Sequence, residues 1–146
     1  MERKDFILSC GYACLGILGI SSLLQSCSLG SFVLSQGEGN RLTVSKSVFE
    51  KTNAKGTTYK KYIITKAEGI QYPIVIYRRS EGNYTALLLR CSHQGAELTV
   101  NGEIMTCSAH GSEFGIQGDV IQGPAEDRLR SFDVQSDSQN IYIHLT

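Results

Sequence analysis

The chain has 146 residues, enough for one domain or for one domain with an appendage. Fourteen basic residues balance fourteen acidic ones, which leaves no basic excess of the kind a nucleic-acid partner demands. Hydrophobic residues make up 41%, near the globular norm, and 15 Gly against 2 Pro and no Trp point to many tight turns.

Residues 1–26 do not read as part of a fold. Met1 to Asp5 is short and charged, and Phe6 to Leu24 carries no charge. A spanning helix needs roughly 20 apolar residues. Gly11, Gly16, Gly19, Ser21 and Ser22 make this run a weak membrane helix but a good export signal. It ends in Leu24-Gln25-Ser26-Cys27, which resembles the processing site of bacterial lipoproteins, with Gln25 larger than that pattern usually has. The resemblance implies cleavage before Cys27 and a lipid on its sulfur; an uncleaved anchor helix is the alternative. Arg3-Lys4-Asp5-Phe6-Ile7 is similar to a twin-arginine export motif, with Lys4 in place of the second arginine. Either reading tethers the rest of the chain to a membrane, on the extracytoplasmic (periplasmic) side of a bacterial cell. Residues 27–40, rich in Ser, Gly and Gln, read as the lipidated tether.

Residues 41–146 are expected to form the domain, and they read as all-β. Arg41–Val44, Tyr59–Thr65, Ile74–Arg79, Tyr84–Cys91, Glu97–Val100, Ile104–Cys107, Arg130–Gln135 and Ile141–Leu145 are short runs rich in Val, Ile, Tyr and Thr. Phe132/Val134 and Ile141/Ile143/Leu145 alternate with period two, and no segment after residue 40 carries a sustained helical stripe. Many short strands predict an antiparallel sandwich or small barrel. Asn101-Gly102 between two apolar runs predicts a hairpin with a type I′ turn. That hairpin returns the chain from His93 to Cys107.

Two clusters of metal-ligand residues follow strands at one sheet end: Cys91-Ser92-His93-Gln94-Gly95 and Cys107-Ser108-Ala109-His110-Gly111-Ser112. Five cysteines occur in the chain. Cys10 and Cys14 lie in the signal and Cys27 takes the lipid, which leaves Cys91 and Cys107. Spacing alone allows a tetrahedral zinc site, which would make the domain a lipoprotein binding module with a structural metal. A Cys91–Cys107 disulfide in an exported sandwich is a further possibility. His144, Lys60-Lys61 and Arg78-Arg79 read as surface or packing positions, the charged pairs having a secondary reading as docking residues.

Cys-x-His followed by Cys-x-x-His, each on a glycine-containing loop, resembles the Rieske iron–sulfur family. Gly118 to Ala125, with its Gly123-Pro124-Ala125, is similar to that family's third loop, the Pro loop. The strand before Cys91 and the closing strands are also similar, so the resemblance covers roughly residues 70–146. It implies one [2Fe–2S] cluster, with Cys91 and Cys107 on an inner iron and His93 and His110 on an outer one. Such centres work at about −150 to +300 mV. Gly95, Gly111, Ser112, Phe114 and Pro124 are implied to surround the cluster. Ala96 and Ala109 stand where many quinol-oxidising relatives carry a disulfide, and Phe114 stands where high-potential relatives have a tyrosine. With Ser112 kept and the tyrosine hydroxyl gone, the resemblance implies an intermediate potential.

The function so implied is one-electron transfer, as a carrier or small subunit of an extracytoplasmic oxidoreductase with a redox-protein donor and acceptor. The Rieske subunit of a quinol-oxidising cytochrome bc-like complex is the alternative. Against it stand the missing disulfide, the missing tyrosine and polar Gln94. The length leaves no room for the mononuclear iron domain of a ring-hydroxylating oxygenase.

Overall fold

Strand β7 (Ile74–Ser80) and strand β8 (Asn83–Leu88) form the wall on which the domain is built. Both faces of this hairpin are buried. Ile74, Ile76, Ala86 and Leu88 enter one core, and Val75, Tyr77, Leu87 and Leu89 enter another. That is why these strands read as continuous apolar runs rather than alternating ones.

The computed structural model describes residues 32–33 and 36–146. The expected signal, the lipidation site Cys27 and most of the tether lie outside these residues. Around the wall, β1 (Phe32–Val33), β2 (Gln36–Glu38), β3 (Arg41–Ser45), β6 (Tyr62–Thr65), β13 (Ser131–Ser136) and β14 (Asn140–His144) complete an eight-stranded sheet. Its order is β1-β6-β7-β8-β13-β14-β3-β2. All its pairings are antiparallel except β1 beside β6. Leu42 and Val44 near one edge and Ile63 near the other share the first core with Ile141, Ile143 and Phe132, so the sheet curls on itself. A second sheet, β12-β11-β10-β9, packs on the outer face of the wall. Its strands are β9 (Leu98–Asn101), β10 (Ile104–Cys107), β11 (Glu113–Gly115) and β12 (Val120–Gln122). Among the described residues no helix is long and apolar enough to cross a membrane.

The all-β antiparallel architecture agrees with the expectation, but several details differ. Tyr59–Thr65 is not one strand. The chain breaks at Lys60, whose amide hydrogen goes to Phe49 O at 2.7 Å, so Tyr59 and Tyr62 lie in different sheets. Upstream of the break, β4 (Glu50–Asn53) and β5 (Gly56–Tyr59) form a separate ribbon after the 3-10 turn Lys46–Phe49. The stretch read as tether contributes the short strands β1 and β2. The β9–β10 turn is not type I′ on Asn101-Gly102. Asn101 pairs with Ile104, so the central residues are Gly102 and Glu103, and only Gly102 has positive φ, at 65°. A glycine first and an ordinary residue second is the pattern of a type II′ turn.

Candidate metal centre

β8 runs through Leu88 to the first ligand loop, and β10 ends at Cys107, where the second begins. Both loops close in the same way. Cys91 N–H donates to Ala96 O at 2.8 Å and Gly95 N–H donates back to Cys91 O at 2.9 Å. In the second loop Cys107 N–H donates to Ser112 O and Gly111 N–H to Cys107 O, both at 2.8 Å. The two glycines hold the equivalent place, four residues after the cysteine, with φ of 77° and 78°. A side chain there would be strained, which explains the glycine in each motif. At Gly95 an added Cβ would also meet the Arg90 guanidinium, 3.1 Å away.

This closure buries the cysteines and presents the histidines. Cys91 and Cys107 are free thiols, each 1% exposed, in the core between the two sheets. His93 and His110 are exposed, with ring centroids 5.1 Å apart and planes at 86°. Burial pushes the Cys107 thiol up. The backbone amides of His110 and Ala109 and the Cys91 thiol outweigh that and hold it below the ordinary cysteine value. Amides turned toward sulfur favour the thiolate, the form that binds metal.

The third loop packs beside both. Its Gly123-Pro124 bond is cis, Pro124 is exposed and Ala125 is buried. Ser112 is fully buried, and its hydroxyl oxygen accepts the Ala125 amide hydrogen at 3.0 Å. That leaves the hydroxyl proton free to be given elsewhere. Phe114 is fully buried across from Met105, in the core that holds the cysteines.

Two ties escaped the sequence reading. Ser92 Oγ donates to Asp127 O at 2.6 Å, and Gln122 Nε2 donates to Gly111 O at 3.0 Å. Each fastens one ligand loop to the segment around Pro124. They act on distant backbone carbonyls, and no local pattern announces such a contact. With Ala96 and Ala109 at the loops, these bonds brace them without a covalent link.

The donors gather two and two, cysteine with cysteine and histidine with histidine. Among the described residues no three His, Cys, Asp or Glu side chains gather to hold one ion. A tetrahedral zinc needs four donors within about 2.0–2.3 Å of one point. A two-iron cluster needs a pair for each iron, one pair thiolate and one pair imidazole. The residues fit the cluster.

Comparison with known proteins agrees. The structure is similar to the plasma membrane Rieske protein PetC3 of the cyanobacterium Synechocystis PCC 6803, with a TM-score of 0.50 and 23% identity, covering 57% of this chain and 85% of that one. It is also similar to the quaternary ammonium Rieske monooxygenase CntA, with a TM-score of 0.53 and 20% identity, covering 70% of this chain and 32% of that one. No curated protein matches the sequence at a significant level. Residues 48–133 match the model of the Rieske [2Fe-2S] domain. With that match over more than half its length, the chain belongs to the Rieske family, carries one [2Fe–2S] cluster and transfers electrons.

Proposed function

We propose that the protein is a membrane-tethered one-electron carrier, or the small electron-transfer subunit of an extracytoplasmic oxidoreductase. Cys91 and Cys107 hold the inner iron, and His93 and His110 hold the outer one. The observation that carries this reading is the paired arrangement itself, two buried thiols below two exposed imidazoles. The cluster, when bound, takes up and releases a single electron. The chain supplies the rest. The core of Leu98, Met105, Cys107 and Phe114 keeps water from the thiolate side. The exposed imidazoles give a redox partner its approach. Gly95, Gly111 and Pro124 shape the loops, and Ser112 keeps a hydroxyl proton available to a sulfur. The N-terminal run, with lipid on Cys27 or as an uncleaved helix, holds the domain at the outer face of the cytoplasmic membrane. A partner redox protein is favoured over quinol by Ala96 and Ala109, which cannot form the brace of quinol-oxidising relatives, by Phe114 and by polar Gln94.

Low-temperature EPR of the full chain, with iron and acid-labile sulfide assays, tests the assignment. The expected result is two irons per chain and a rhombic signal of low average g that appears on dithionite reduction. His110→Ala should abolish that signal. Full-length protein that stays colourless after anaerobic reconstitution, or that takes up zinc instead, would sink the reading.

A further inference from the structure

We propose that the β4–β5 ribbon is a docking surface for an anionic lipid layer, and that it holds the ligand loops facing away from the membrane. The proposal rests on the membrane-tethered reading above and adds a specific face to it. All eight strand residues of the ribbon are exposed, and none belongs to either core. A two-stranded ribbon is marginal without packing, so this one is not explained by stability. It is also strongly basic. Residues 50–61 carry Lys51, Lys55, Lys60 and Lys61 against Glu50 alone. Arg78 adds to the patch by stacking on Tyr59 at 4.2 Å, and Arg79 is exposed beside it. Lys61 is paired with Glu103 at 2.8 Å, so Lys51, Lys55 and Lys60 are the foremost cations.

The position of the ribbon decides its partner. Arg78 N–H donates to Lys61 O at 2.9 Å, and Arg78 pairs with Tyr84. From Tyr84 the chain rises four strand steps, about 13 Å, to Leu88 before the first ligand loop begins. The ribbon therefore leaves the domain at the end opposite the imidazoles, where a redox partner gains nothing by binding. Near the loops the basic excess disappears, with exposed Glu97, Glu126 and Asp127 and half-buried Glu113 against Arg90, Arg128 and Arg130. A chain polarised in this way turns its basic end toward an anionic headgroup surface.

Lysine acetylation read by mass spectrometry tests this on the full chain in vesicles. One set is phosphatidylcholine, and the other contains about one-third phosphatidylglycerol. Acetylation of Lys51 and Lys55 should slow at least about fivefold on the anionic vesicles only, with Lys66 unchanged and the protection lost in high salt. Lys51→Glu with Lys55→Glu should weaken sedimentation with anionic vesicles relative to phosphatidylcholine. Equal acetylation on both vesicles, with the chain bound to both, overturns the ribbon proposal and leaves the tether standing. Protection on anionic vesicles with no binding to phosphatidylcholine does the reverse. Protection by polyglutamate but not by lipid would assign the ribbon to an acidic protein and overturn lipid docking.

Discussion

Ser112 shows how much one hydroxyl does in this centre. It lies at the end of the second loop, fully buried, with its backbone carbonyl closing that loop on Cys107 and its side-chain oxygen holding the Ala125 amide. In the proposed centre the remaining proton would be given to a sulfur, and a hydrogen bond to sulfur favours the more negative, reduced state. Hydrogen bonds to charged groups are worth about 1.5–3 kcal/mol, which is about 60–130 mV for one electron. Ser112→Ala should lower the midpoint potential by that order in a redox titration. It should also lower the melting temperature, because the Ala125 amide is left without a partner. A lower melting temperature with an unchanged potential would mean that the hydroxyl serves Ala125 alone. At this scale the sequence was largely legible. Gly95 and Gly111 stand where the loops need positive φ, and the cysteines and histidines were readable as one group of metal-ligand residues without coordinates. Ser92 and Gln122 were not legible, because any donor of suitable length satisfies a carbonyl brought near by the fold.

Among elements, the turns decide what the strands cannot. The β13–β14 turn is organised by Asp137, whose carboxylate accepts from Gln139 N–H at 2.7 Å, Asn140 N–H at 2.6 Å and the Tyr142 hydroxyl at 2.6 Å. The Tyr142 hydroxyl first, and then the two amides, lower its pKa from 3.8 to about 2. The folded state therefore binds this proton less readily than the unfolded state. Its stabilising contribution is complete above about pH 4 and is lost as pH falls through about 2. Asp137→Asn should melt at a lower temperature near neutral pH and show a flatter melting temperature between about pH 4 and pH 2, measured by circular dichroism. The same slope in both proteins would remove Asp137 from the acid response. The β9–β10 turn teaches a different lesson. Its glycine and its hairpin were readable, but the register was not, and one residue separates a type I′ from a type II′ assignment. Contacts far along the chain fix it. The Tyr77 hydroxyl donates to Gly102 O at 3.1 Å, and Lys61 holds Glu103. The ribbon strands left no apolar alternation to read because neither face is buried. β11 and β12, at three residues each, are too short to show a period.

At the scale of the whole molecule, one wall serves two cores with different duties. Ile143 and Ile141 belong to the first, which closes the eight-stranded sheet, whereas Leu87 and Leu89 belong to the second, which contains Cys91 and Cys107. The strand wall was visible in the sequence as β7 and β8. Its two-sided use was not, since a continuous apolar run does not say what lies on each side. The division has a consequence for how the cluster is lost. Leu87 and Ile143 are both fully buried, so replacing either by alanine should cost about 2–5 kcal/mol. If the cores open separately, the two losses differ in kind. Leu87→Ala loosens the side of the wall on which the cysteines sit and should bleach the visible spectrum at temperatures where circular dichroism still reports a folded sheet. Ile143→Ala weakens the other side, so its bleaching should coincide with global unfolding. Coincident bleaching and unfolding in both variants would show instead that the domain opens as one cooperative unit, with the shared wall of β7 and β8 coupling the two cores.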